Sequence, residues 1–238
     1  MAQKKITRKE LLKSPDEFLT FSEKVFTFIR GRSRQFITAG IVIVVLLVLV
    51  AGTKYYLGLT SGRALAAYDQ AVSGLESEKG FDPQRAKTAV RELEKVNSSY
   101  SRYDPGRHAL LDLASLYYKL GQLDKAQKAY QELLDSLRTE EKHLKPMLLA
   151  SLAYVFEDQG EYTQAEAKWN EVLGLSGRLM KEDAHLGLGR VFLAREMDEK
   201  AKQIYQRFLN DFPNSPSAAL VKTKLARLNK EKQPKTVE

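Results

Sequence analysis

The side chains able to do chemistry are few and scattered. His108, His143 and His185 are the three histidines, and none sits in a metal-site motif with a second ligand. Glu140–Glu141 and Glu157–Asp158 are adjacent acid pairs. Neighbours in sequence diverge around a helix, so each pair reads as a solvated face and not as an acid–base couple. Gly187 and Gly189 form a lone GxG with no preceding strand and no later Gly or Lys, which fits close packing better than a phosphate loop. There is no cysteine, which excludes disulfides, thiolate metal sites, a thiol nucleophile and an acylated lipoprotein cysteine. Asn97-Ser98-Ser99 matches a glycosylation acceptor, a pattern common by chance. No catalytic residue, metal, cofactor or small-molecule substrate is expected, and the chain is read as no enzyme.

Charge points the same way. The formal charge is +8, but residues 1–35 hold nine Lys/Arg against four Asp/Glu, and residues 58–221 hold 22 basic against 24 acidic side chains. The tail from 222 returns to net +4. The basic excess lies at the ends and not on one face of the folded middle, so nucleic acid is not an expected partner.

Phe36 to Thr53 carries no charge over eighteen residues. As a helix that run covers about 27 Å, close to the hydrocarbon thickness of a bilayer. Arg30, Arg32 and Arg34 precede it, and Lys54, Tyr55 and Tyr56 follow at headgroup level. A cleaved signal sequence fits less well, because 35 residues come before the run and the run exceeds the usual apolar core of a signal. A transmembrane helix over 36–57 is therefore expected, with membrane lipid its partner from Phe36 to Leu57. The basic tail 1–35 stays in the cytoplasm by the positive-inside rule, and the larger C-terminal part lies on the extracytoplasmic, or periplasmic, side. In the tail, Ser14-Pro15-Asp16-Glu17 reads as a helix start. Phe18, Phe21, Val25 and Ile29 then share one face, beside Leu19 and Phe26. That amphipathic helix is expected on a membrane surface, its basic residues toward anionic lipid.

Beyond the span every periodic segment is helical. Asp82-Pro83, Asp104-Pro105 and Ser215-Pro216 read as caps followed by a proline at the first helical position. Gly80, Gly121 and Gly160 mark stops. Three registers then repeat: Leu110, Leu113, Ala114, Tyr117, Gly121, Ala126, Tyr130, Leu133; Leu149, Leu152, Ala153, Phe156, Gly160, Ala165, Trp169, Val172; and His185, Leu188, Gly189, Phe192, Glu196, Ala201, Tyr205, Phe208. The small residues let two helices approach, the aromatics fill the gap to the next hairpin, and stacking buries what one hairpin cannot bury alone. A looser first unit is expected, with helices near Ala64–Leu75 and Arg85–Val96, and a capping helix near Ala218–Leu228. Residues 229–238 read as a polar, basic, disordered tail. Glu196 replaces the turn glycine of the third unit, so a different turn is expected there.

These offsets resemble the tetratricopeptide repeat, well over residues 104–213 and weakly over 61–103. The implied fold class is all-α: an N-terminal transmembrane helix followed, over 58–228, by a tetratricopeptide-repeat-like solenoid of helical hairpins. The layout resembles a bacterial group of single-pass inner-membrane tetratricopeptide-repeat proteins, and is similar to that of the ancillary subunit of the SecYEG translocon, a periplasmic chaperone-network protein. The phrase Tyr205–Leu228 also resembles repeats of a periplasmic coordinator of cell division. The resemblance implies a membrane-anchored adaptor that binds other proteins: translocon subunits and exported clients or, alternatively, subunits of an envelope, division or secretion complex that it helps to assemble.

In that family the first helix of each hairpin lines a groove. Carried over, the groove positions are His108, Leu111, Ser115, Tyr118 and Lys119; then Met147, Ala150, Tyr154, Glu157 and Asp158; then Asp183, Leu186, Arg190 and Leu193. Leu111, Ala150 and Leu186 stand where a two-carboxylate clamp would need polar residues, so a chaperone C-terminus is not the expected ligand.

Overall fold

The computed structural model describes residues 17–75, 80–175, 177–178 and 180–230. Residues Ser14 to Asp16 of the expected helix start, the side chains of Phe18, Leu19 and Phe21, and the tail from 231 lie outside them. The chain divides into two units, Met1–Thr60 and Ser61–Glu238.

In the first unit α1 runs Glu17–Gly31, and α2, Ser33–Ser73, begins after a break of one residue at Arg32. The sequence suggests a boundary near residue 58; α2 passes through that point unbroken and enters the second unit at Ser61. Nothing in the run from Phe36 to Thr53 opposes this, because it holds neither proline nor a charge. By length and composition α2 is long and apolar enough to cross a membrane.

Every regular element of the second unit, among its described residues, is a helix. After the last turns of α2 come α3 (Pro83–Tyr100), α4 (Asp104–Lys119), α5 (Leu123–Asp135), a 3₁₀ turn (Thr139–Leu144), α6 (Lys145–Asp158), α7 (Tyr162–Gly174), α8 (Lys181–Ala194), α9 (Asp198–Asp211) and α10 (Ala218–Lys230). Asp82 caps α3, its carboxylate accepting from the Gln84 and Arg85 N–H groups at 2.8 and 3.3 Å. Asp104 is not a cap. Helix α4 already includes it, Tyr103 holds the extended capping position, and the Asp104 carboxylate accepts instead from Arg138 Nη2 at 2.7 Å. Ser215 ends one turn before α10, where its Oγ accepts from the Ser217 N–H and donates to Glu182.

The repeat residues form the core. Ala114, Ala153, Ala126, Ala165 and Ala201 have no exposed surface, and Trp169, Tyr205 and Phe208 are equally enclosed. Gly187 and Gly189 are packing residues: a Cβ would stand 2.2 Å from the Trp169 indole at the first and 2.1 Å from the Tyr205 ring at the second.

Two local features decide the repeat geometry. The turns after α4, α6 and α8 share one hydrogen-bond pattern: Gly121, Gly160 and Glu196 N–H groups reach Tyr118, Glu157 and Leu193 carbonyls, and the next N–H reaches Tyr117, Phe156 and Phe192. Gly121 and Gly160 have φ of 71° and 75°, and Glu196 follows with 58°. The expectation of a different third turn is thus corrected. The paired turn bonds and the hairpin packing hold Glu196 in the left-handed region despite its Cβ. The long first repeat is accommodated by the 3₁₀ turn, which is tied back to α4 by Arg107, whose Nε and Nη2 donate to Glu141 at 3.1 and 2.6 Å.

The helix-to-helix face of the repeat array

The first helices of successive hairpins carry a chain of polar contacts across their common face. Tyr68, near the end of α2, donates to Asp112 of α4 at 2.6 Å. The Tyr118 hydroxyl of α4 faces the Asp158 carboxylate of α6, and Tyr154 of α6 donates to Asp183 of α8 at 3.3 Å. Each tyrosine lies one hairpin before its aspartate. Burial, reinforced by the facing carboxylate, pushes the Tyr68 and Tyr118 hydroxyls well above the ordinary phenol range, so both stay protonated at neutral pH.

Glu157 is the centre of the strongest cluster. Its side chain is only 12 % exposed, and it accepts from Arg190 Nε at 2.8 Å and Nη2 at 2.9 Å. Trp169 Nε1 donates to the same carboxylate at 2.7 Å. The Arg190 guanidinium also stands 5.3 Å from the centroid of the Tyr154 ring, and that ring meets Trp169 edge-on at 4.9 Å. One carboxylate therefore joins the two helices of its own hairpin and the first helix of the next. A bidentate pair with a third donor satisfies most of what burial takes from water.

The sequence-derived groove residues divide by what they touch. Tyr118, Tyr154, Glu157, Asp158, Asp183 and Arg190 come together in the contacts above. Ser115 is half-buried and, with Ser151, lies beside the Tyr130 hydroxyl. Leu111, Leu186 and Leu193 pack against the core with part of their surface open, and Met147 is likewise half-buried. His108 is exposed beside the Tyr68 ring at 6.1 Å, and Lys119 is exposed with its Nζ 6.0 Å from the Phe81 ring. Ala150 has no exposed surface, so its assignment to the groove is corrected: the small side chain lets neighbouring helices close over it.

Tyr68, Asp112 and Trp169 belong to the ladder although the sequence did not mark them for it. Tyr68 lies in the loosely aligned first unit. Asp112 sits beside Leu111 at an offset the carried-over pattern skips. The Trp169 indole N–H was hidden behind its role as the repeat aromatic. No repeat offset signals the ladder: Asp112 and Asp158 lie 46 residues apart, whereas Leu110 and Leu149 of the same two units lie 39 apart.

Little else converges. His185 is buried, its Nδ1 2.8 Å from the Lys181 carbonyl and its ring 5.6 Å from Phe212, a packing role. Among the described residues no three His, Asp or Glu side chains group as metal ligands. A cleft of about 830 Å³ lies between α5, the 3₁₀ turn, the start of α6 and α7, lined by Leu134, Leu137, Lys142, Lys145, Lys168 and Leu175.

Comparison with known proteins agrees with this architecture. The model of the tetratricopeptide repeat-like domain family matches residues 34–230. No curated protein matches the chain. Among solved structures, the chain is similar to the nearly identical TPR-like repeats assigned to a kinesin light chain of Podosopora anserina, at 17% identity and a TM-score of 0.55, over 73% of this chain and 90% of that one. A variant of those repeats gives a TM-score of 0.56 at 17% identity, over 73% and 89%. At that identity the likeness is one of fold. Domains of this kind suggest a protein-interaction adaptor, and by the family match the chain belongs to the tetratricopeptide repeat-like domain family.

Proposed function

We propose that the protein is a membrane-anchored, non-catalytic adaptor that displays its repeat array on the extracytoplasmic side of a bacterial inner membrane and binds other proteins there. One observation carries the anchor. Every large apolar residue from Phe36 to Val50 is exposed, Phe36 at 45 % and Val48 at 65 %. Leaving a dozen such side chains in water costs on the order of 20 kcal/mol, which a bilayer removes. The basic residues before the run support the orientation, and the tyrosines after it suit the headgroup depth at its other end. The layout's resemblance to the ancillary translocon subunit supports clients at the site of protein export.

The binding face follows from the ladder. Its tyrosines and carboxylates are occupied with one another, so a partner meets the half-buried Leu111, Met147, Leu186 and Leu193 and the exposed His108 and Lys119 at its edge. Tyr154 is a poor probe of that face, being half-buried and set edge-on against Trp169.

A photoreactive residue at His108 in the full-length protein, expressed in cells, tests this reading alongside protease access from outside the membrane. Digestion of the repeat array from outside, with crosslinks from His108 to translocon subunits or many exported chains, is the expected result. Crosslinks to one envelope protein alone would favour an assembly factor. Protection of the array in spheroplasts with an intact inner membrane would overturn the orientation.

A further inference from the structure

Helix α1 carries an apolar arc that no other part of its unit covers among the described residues. Phe26 is 65 % exposed, Phe28 53 %, Ile29 44 % and Val25 40 %. At about 100° per residue these four fall on one half of the helix, while Glu23, Lys24, Thr27 and Arg30 fall on the other. Over residues 17–35 the four cations Lys24, Arg30, Arg32 and Arg34 outnumber the two acids Glu17 and Glu23.

The one-residue break between α1 and α2 ties the end of that arc to the start of the uncharged run. Arg32 is the only residue between the two helices, and its guanidinium lies 4.8 Å from the Phe28 ring centroid. Phe28 meets the Phe36 ring edge-on at 6.0 Å and 70°. Phe36 is the first residue of the uncharged run. The ring at the end of α1 therefore stands where that run begins, with a cation stacked on it.

We propose that α1 is an in-plane anchor on an anionic bilayer surface, Val25, Phe28 and Ile29 sunk toward the acyl chains and Arg30, Arg32 and Arg34 against lipid phosphates. This rests on the reading that α2 spans a membrane. An apolar arc joined to a span at the hydrocarbon boundary is buried by the lipid beside that span, with no further partner needed. The arginines supply the preference for anionic headgroups, roughly fivefold in the immersion equilibrium for each one near the surface.

The chain has no cysteine, so single cysteines carry nitroxide labels without background. Full-length Leu46→Cys, Val25→Cys, Ile29→Cys and Thr27→Cys variants are reconstituted in vesicles of phosphatidylcholine, with and without phosphatidylglycerol. Access to oxygen and to a water-soluble nickel chelate is then compared. Labels at Leu46, Val25 and Ile29 should favour oxygen, and the label at Thr27 the chelate, in the anionic vesicles. Changing Arg30, Arg32 and Arg34 together to Gln should return Val25 and Ile29 toward the chelate. A chelate-accessible Leu46 would sink the membrane reading itself. A lipid-facing Leu46 with Val25 and Ile29 no different from Thr27 would leave that reading and overturn the anchor. Equal immersion in phosphatidylcholine alone would overturn the preference for anionic lipid. Shielding of Val25 from both probes, as in protein contact, would overturn a lipid partner.

Discussion

Trp169 lies so close to Gly187 that a Cβ there would stand 2.2 Å from its Cε2 and 2.3 Å from its Nε1. The indole cannot retreat, because it is fully enclosed and its N–H is held by Glu157 at 2.7 Å. Gly187→Ala should therefore overpack the junction of α7 and α8 and cost about 1–3 kcal/mol. Chemical denaturation followed by helical circular dichroism measures it; a loss below a few tenths of a kcal/mol would mean that the junction yields.

The Glu157–Arg190 pair predicts asymmetric mutant costs. Arg190→Ala leaves a carboxylate that is 12 % exposed with only the indole donor among its side-chain partners, and should cost about 2 kcal/mol. Glu157→Ala removes the acceptor of both Arg190 and Trp169 and should cost at least as much. The double variant should be less destabilised than the sum, with a coupling of about 1–3 kcal/mol. Trp169 is the one tryptophan of the chain, so its emission reports Glu157→Ala directly. Strict additivity would show that the pair is not formed.

Glu196 offers a gain. It holds a φ of 58° at a turn where its counterparts are Gly121 and Gly160. Glu196→Gly should relieve strain of about 1 kcal/mol, partly offset by the freer unfolded chain. Thermal unfolding should shift upward by about 2 °C. An unchanged or lower midpoint would show that the Glu196 side chain contributes more than the strain costs.

Glu141 should shape the acid limb of stability. Burial alone would raise its carboxyl, but the Arg138 backbone N–H and the Arg107 guanidinium outweigh that and hold it below the ordinary carboxylate range. A folded pKa below the unfolded one means that the stabilisation is fully present above the unfolded value, about 4.3, and is lost as pH falls through the folded value. Glu141→Gln should lower stability at neutral pH and flatten its decline below about pH 4. Parallel acid limbs in the two proteins would show that the 3₁₀ turn is held by other contacts.

The order of helices was legible because burial writes a period into the chain: Ala114, Ala153 and Gly189, or Tyr130, Trp169 and Tyr205, each have to fill an equivalent place in a stacked hairpin. Caps were less legible. Asp82 and Asp104 stand before prolines alike, yet only Asp82 caps, because Arg138 comes from thirty-four residues away to take the Asp104 carboxylate. The groove was legible in part. Helix periodicity could place Tyr118, Tyr154 and Arg190 on the first helices, but not show that their polar groups are spent on the next hairpin.

Composition and spacing alone thus determined a helical repeat array beside one long apolar, uncharged segment, since both follow from which side chains water rejects and how often they recur. Tertiary structure decided what depends on distant partners: the left-handed turn imposed on Glu196, the burial of Ala150, the 3₁₀ turn held by Arg107, and the ladder from Tyr68 to Arg190. Hydrogen bonds and ion pairs are short-ranged and directional. Their partners are settled only when the hairpins stack.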